Sequence, residues 1–149
     1  TSALKIANQN IDNDEYFIYQ KAVIKFNNGE FKQSIDLLED FSKKTTFNNR
    51  EIKEEYLVTS FSMRIASLFN LGLYDEVIGL EKNYRIYLEE RDGFKEVLAT
   101  TNLYIGIAFI NTGNLHDGIF YLGMALKSSN NQDQKDYILN LYNQVSNYL

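Results

Sequence analysis

The sequence has 149 residues, a net charge of −5, a pI near 4.9 and 44% hydrophobic residues, as expected for one globular domain with a core. The acidic balance and the lack of clustered Lys and Arg exclude a nucleic-acid site in these residues. Without cysteine, disulfides and thiolate chemistry are excluded, and without a long apolar run or a signal peptide the sequence predicts a soluble, cytoplasmic protein with no membrane contact.

The first twelve residues predict the end of a repeat that precedes the sequence. Residues 2–5, Ser-Ala-Leu-Lys, and the polar stretch after them resemble residues 124–127, Met-Ala-Leu-Lys, and their polar tail. Because Ala125 is predicted to end the second helix of a repeat, Ala3 is predicted to end another, whose partner helix lies before Thr1. We therefore expect a fragment of a longer protein.

Three segments share one pattern: a bulky apolar residue, Asn, any residue, Gly, any residue and a second bulky apolar residue. The segments are Phe26–Phe31, Phe69–Tyr74 and Ile110–Leu115. Their glycines lie 43 and then 41 residues apart. A fixed period of this size is typical of a helical solenoid.

Helical periodicity flanks each glycine. Around the second glycine, the apolar residues with this spacing are Leu57, Phe61, Ile65, Leu68 and Phe69, then Tyr74, Val77, Ile78, Tyr84, Tyr87 and Leu88. Each glycine is therefore predicted to adopt a left-handed conformation between two helices. The prediction is an all-α fold of seven to eight helices in antiparallel pairs.

The glycines also begin a second pattern, Gly-x-aromatic-x-x-small. Its copies are Gly29-Phe31-Ser34, Gly72-Tyr74-Val77 and Gly113-Leu115-Gly118, with small residues one helix earlier at Ala22 and Gly106 and with Ile65 at the matching place of the second copy. Together these residues resemble the tetratricopeptide repeat over residues 15–129. The resemblance implies a right-handed superhelix of helix pairs. The period is about 42 residues rather than about 34, and the proline that usually ends the unit is absent.

The predicted boundaries follow from this pattern. Residues 1–12 end a preceding repeat, residues 13–47, 48–92 and 93–130 form three repeats of a single domain, and residues 133–149 form a capping helix. We expect Asp133 to cap this last helix. Its sealing side is predicted to carry Tyr137, Ile138, Leu141, Tyr142, Val145 and Tyr148, as a terminal solenoid helix requires, which favours a true C-terminus here.

Catalytic chemistry is not predicted. His116 is the only histidine and has no partners at ligand spacing. The carboxylate pairs Glu54-Glu55 and Glu89-Glu90 splay apart on a helix, so neither pair converges on one site. We therefore predict no enzyme activity, no metal and no cofactor.

The resemblance implies a concave groove lined by the first helix of each repeat, which would hold a short peptide or a protein. Asn27, Asn70 and Asn111 occupy one repeat position, so their amides are predicted to pair with a peptide backbone. The alternative is that they serve only the local turn. Three large side chains from the same helices are either pocket or core residues: Tyr19, Met63 and Tyr104. Arg64 either receives a ligand carboxylate or extends to the edge of the apolar surface.

The long repeats, the acidic composition and the closing helix are similar to the C-terminal domain of PlcR- and Rgg-type regulators. That resemblance implies dimerisation and the sensing of a signalling peptide, with DNA bound by a separate N-terminal module. Two alternatives stay open: a scaffold that docks a folded protein, and the repeat domain of a Rap-type phosphatase. A chaperone-tail clamp is not expected, because Tyr19, Val23, Met63, Thr100 and Tyr104 replace its basic and amide residues.

Overall fold

A computed structural model describes residues 13–47, 54–88 and 92–149. Within these ranges the chain forms seven α-helices, one short 3-10 helix and no strand, which confirms the predicted all-α fold. The helices are α1 (Asn13–Asn27), α2 (Phe31–Phe47), α3 (Glu54–Asn70), α4 (Tyr74–Leu88), α5 (Lys95–Asn111), α6 (Leu115–Ser128) and α7 (Gln132–Ser146), and the 3-10 helix Asp92–Phe94 precedes α5.

The chain divides into two compact units, Thr1–Leu71 and Gly72–Leu149. In the described part of the first unit, α2 packs against both α1 and α3. In the second unit, α5 packs against α4 and most extensively against α6, and α7 packs on α6. The division falls between α3 and α4, the two helices of the second predicted repeat.

The three repeat glycines adopt the predicted left-handed backbone. Their φ angles are 76° at Gly29, 73° at Gly72 and 88° at Gly113. After α1, the N–H of Gly29 donates to Phe26 O at 3.0 Å and the N–H of Glu30 donates to Lys25 O at 2.9 Å. This pair of hydrogen bonds is the Schellman motif, which satisfies the last carbonyls of a helix and needs a residue with positive φ.

The turn after α5 repeats this geometry. The N–H of Gly113 donates to Ile110 O at 3.1 Å, and the N–H of Asn114 donates to Phe109 O at 2.9 Å. The same Asn-x-Gly sequence thus ends a helix in both units. Because glycine adopts positive φ without steric cost, the spacing of these glycines alone located the helix ends.

Small residues lie where the two helices of a hairpin meet, as predicted. In the first unit Ser34 of α2 is fully buried, and its hydroxyl donates to the carbonyl oxygen of Ala22 in α1 at 2.9 Å. In the second unit Gly118 of α6 lies against Gly106 of α5, where an added Cβ would come within 3.1 Å of the Gly106 carbonyl oxygen. Larger side chains would push either pair of helices apart.

The last helix departs from the sequence prediction in two ways. Its cap is Asn131, whose side chain accepts a hydrogen bond from the Gln134 N–H at 3.0 Å, whereas Asp133 lies inside the first turn. Ile138 and Val145 are buried, but Tyr137 is 55% exposed and Tyr148 is 82% exposed. Neither tyrosine belongs to the sealing side, since Tyr137 faces solvent and Tyr148 lies beyond the end of α7, whereas Leu141 and Tyr142 pack against the cluster that contains Ile138.

Candidate functional site

The three repeat asparagines occupy equivalent positions in the structure. Asn27, Asn70 and Asn111 are the last residues of α1, α3 and α5, and each side chain is exposed. Asn27 and Asn70 belong to the first unit and Asn111 to the second. A ladder that holds one peptide across all three stays a prediction.

Two of these amides make the same local hydrogen bond. The side-chain Nδ2 of Asn70 donates to Ala66 O at 2.7 Å, and that of Asn111 donates to Ile107 O at 2.9 Å. In each case the acceptor is the carbonyl four residues earlier in the same helix. The local role that the sequence left open is therefore observed for one of the two Nδ2–H groups of each amide, and a ligand role for the rest of the amide stays a prediction.

Tyr19 lies in an aromatic cluster of the first unit. Its ring centroid is 5.6 Å from that of Phe41 and 5.2 Å from that of Tyr56, the latter edge-to-face. The hydroxyls of Tyr19 and Thr59 are 2.8 Å apart. Because Thr59 donates its own proton to Glu55 O at 2.6 Å, Tyr19 is the donor to Thr59. These contacts support the core interpretation of Tyr19 rather than the pocket interpretation.

Burial changes the acidity of two tyrosines in this cluster. Desolvation raises the pKa of Tyr19 above 10.0, its ordinary value, and the nearby Glu55 carboxylate raises it further. The pKa of Tyr56 is also raised, first by burial and then by the charge of Glu55. Both hydroxyls stay protonated at neutral pH, so Tyr19 keeps its role as a hydrogen-bond donor.

Arg64 of α3 already faces a carboxylate. Its Nη2 lies 3.8 Å from Oε1 of Glu39 in α2, and its side chain is 22% exposed. The Nε atom is buried and has no hydrogen-bond partner. The guanidinium therefore lies partly buried beside α2, with Glu39 as the carboxylate that the structure places near it.

The remaining predicted site residues are half-buried. Met63 lies in α3 of the first unit and Tyr104 in α5 of the second, so the structure does not bring them together within one unit. Their role as pocket or core residues stays a prediction.

Sequence reasoning missed two buried polar features of the second unit. Asn102 of α5 is fully buried, and neither polar atom of its amide has a hydrogen-bond partner. The hydroxyl of the buried Tyr121 donates to Oε1 of Glu81, which is 7% exposed, at 2.6 Å. In the sequence, the only signal for the first feature was a polar residue, Asn102, within an apolar helix. No local sequence pattern indicated that Glu81 pairs with a tyrosine 40 residues later.

Of the residues considered for catalysis, the structure describes His116 and Glu55, whereas Glu89 and Glu90 lie outside the described residues. His116 is exposed in the first turn of α6, and Glu55 is exposed in α3. Within the described ranges no three His, Cys, Asp or Glu side chains group as metal ligands would. No helix in that part of the chain is both long and apolar enough to span a bilayer.

A scan of the sequence against protein-family models finds no match, and a search of curated proteins also finds none. The tetratricopeptide resemblance therefore rests on the repeated residues of the sequence and stays a prediction.

Proposed function

We propose that this chain is a non-enzymatic helical-repeat domain that binds an extended peptide through the asparagines at the ends of its helices. The supporting observation is that Asn70 and Asn111, in separate units, have the same arrangement. Each amide is exposed, and each is fixed by a hydrogen bond from Nδ2 to its own helix. Fixing the side chain in advance reduces the entropy that binding must otherwise remove.

The oxygen of each amide supplies the recognition. A carbonyl oxygen accepts hydrogen bonds from the N–H groups of any peptide backbone, so the interaction does not depend on the peptide's side chains. The acceptor half of the amide is then the main contact, whereas the sequence-based hypothesis has both halves contact the ligand. Specificity must then come from other groups, for which Met63 and Tyr104 are the half-buried candidates.

The resemblance to PlcR- and Rgg-type regulators supports a place for this domain within a bacterial transcriptional regulator. In that proposal the repeat region senses a signalling peptide and dimerises, and DNA is bound elsewhere in the protein. The net charge of −5 also supports DNA binding by another part of the protein, because a negatively charged domain repels the phosphate backbone.

The test uses peptides selected from a random heptapeptide library on the wild-type protein. Calorimetric titration of one selected peptide should show about a tenfold weaker affinity for Asn70→Ala, since losing one hydrogen bond at a desolvated contact costs about 1–3 kcal/mol. Thermal melts of the same variant measure how much stability is lost when the hydrogen bond at the end of α3 is removed. A lower melting temperature with unchanged affinity would reject the proposal and leave Asn70 with a local role only.

A scaffold that docks a folded protein is the second candidate, and exposed apolar side chains on α7 favour it. Tyr137 is 55% exposed and Leu139 is 45% exposed, on different sides of the helix because they lie two positions apart. Partner binding that is lost in Tyr137→Ser and Leu139→Ser, and kept in Asn70→Ala, would support this alternative.

A further inference from the structure

The repeat spacing defines one equivalent stripe on α1, α3 and α5, made of the residues twelve, eight and five positions before each repeat glycine. The stripe is Thr101, Ile105 and Ala108 on α5, Ser60, Arg64 and Ser67 on α3, and Phe17, Lys21 and Ile24 on α1. Residues at this spacing lie on one side of a helix.

On α5 the stripe is buried, and the preceding helix, α4, packs against α5. Thr101 is 1% exposed, and Ile105 and Ala108 are fully buried. Other faces of α5 meet α6, through Gly106 and Gly118, and α7, through the cluster of Leu103 with Ile138.

The stripe on α3 is covered in the same way. Ser67 is fully buried, and Arg64 lies 3.8 Å from Glu39 of α2. The preceding helix therefore brings a carboxylate to the cation at the centre of the stripe.

The stripe on α1 is open. Phe17 is 53% exposed and Ile24 is 55% exposed, and Lys21 between them is also exposed. Among the described residues no helix precedes α1. The position that is buried alanine on α5 and buried serine on α3 is thus an exposed isoleucine on α1, where its apolar surface stays in water.

We propose that Phe17, Lys21 and Ile24 form a docking surface for an amphipathic helix that carries a carboxylate opposite Lys21. Lys21 occupies the position on α1 that Arg64 occupies on α3. The carboxylate of the docked helix would therefore face Lys21 as Glu39 faces Arg64. An isologous pairing with α1 of a second copy fits less well, because a two-fold axis at the centre of the stripe would place Lys21 against its own counterpart. This surface is independent of the asparagine site.

The test adds a labelled peptide to the 149-residue protein and follows fluorescence anisotropy. The probe is the α2 sequence, Phe31–Phe47, in linear and hydrocarbon-stapled forms, because short isolated helices are only marginally stable in water. Saturable binding is expected, and Ile24→Ser should weaken it about tenfold or more. The matched control is Leu73→Ser, which removes a side chain that is 40% exposed outside the helices and should leave affinity unchanged.

The contact between Lys21 and a carboxylate is tested by exchanging the two charges. Lys21→Glu should weaken binding about two- to fivefold, and a peptide with E39K should recover it. The proposal is overturned if neither peptide form binds saturably, or if Ile24→Ser and Leu73→Ser act alike. If Lys21→Glu left the affinity unchanged, the contact between Lys21 and a carboxylate of the docked helix would be rejected. Conversion of a dimer to a monomer by Ile24→Ser in ultracentrifugation would assign the surface to a second copy instead.

Discussion

Gly118 lies against Gly106 so closely that a Cβ on Gly118 would come 3.1 Å from the Gly106 carbonyl oxygen and 2.7 Å from Cγ1 of Ile110. Neither atom is the far end of a flexible side chain. The contact explains why small residues recur at this step of the repeat, since it sets how closely α5 and α6 approach.

Gly118→Ala should therefore destabilise the protein by about 1–3 kcal/mol, the usual cost of overpacking. The control is Gly79→Ala in α4, where no atom lies within 4 Å of the added Cβ. This second change should stabilise by about 0.5–1 kcal/mol, because alanine favours the helix. Urea denaturation followed by circular dichroism measures both values, and equal effects of the two substitutions would contradict the described packing.

The helices could be predicted because local rules decide them. Positive φ at Gly29 and Gly113 restricts those places to residues such as glycine, so the glycine spacing marked the helix ends without tertiary information. The cap of α7 was assigned wrongly because Asn131 and Asp133 are both good caps, and only the backbone shows which one accepts the Gln134 N–H. The exposure of Tyr137 and Tyr148 depends on which neighbours α7 has, and the sequence period does not contain that information.

Tyr19→Phe tests the aromatic cluster. At neutral pH it should destabilise by about 1 kcal/mol, because it removes the hydrogen bond to Thr59. Tyr137→Phe, which removes the hydroxyl of an exposed tyrosine, is the control. Melting curves at pH 7 give both values, and no difference between the two variants would contradict the position of Tyr19.

The same tyrosine predicts an alkaline effect. Its pKa is raised above 10.0 in the folded protein, so the unfolded chain loses this proton first as the pH rises. The wild type should lose stability from about pH 10 until the folded-state pKa is passed, and Tyr19→Phe should lose less over that window. Denaturation at a series of pH values, with matched salt, measures the difference. Parallel curves for the two proteins would show that Tyr19 does not contribute.

Asn102→Leu tests the buried amide without partners. A buried polar group that lacks hydrogen bonds costs about 1–3 kcal/mol, and leucine fills a similar volume without that cost. We expect a higher melting temperature by scanning calorimetry. A lower melting temperature would indicate that Asn102 has a hydrogen-bond partner in solution, for example a buried water.

The candidate site was only partly visible in the sequence. The asparagines were found because they share a fixed offset from the repeat glycines. Their hydrogen bonds to Ala66 O and Ile107 O were not, since the choice between ligand and local carbonyl depends on side-chain rotamers. Arg64 was ambiguous for a similar reason, because its neighbour Glu39 lies on another helix and 25 positions earlier in the sequence.

The most direct test of peptide binding compares Asn70→Ala, Asn111→Ala and the double variant by calorimetric titration with one library-selected peptide. If a single peptide contacts both oxygens, each single change should weaken affinity about tenfold and the double change about a hundredfold, because the free-energy losses of independent contacts add. Thermal melts of the three variants correct for any loss of folded protein. If the double variant binds the peptide as tightly as the weaker-binding single variant, one peptide is not held by both residues. Wild-type affinity in all three variants would contradict the proposed site.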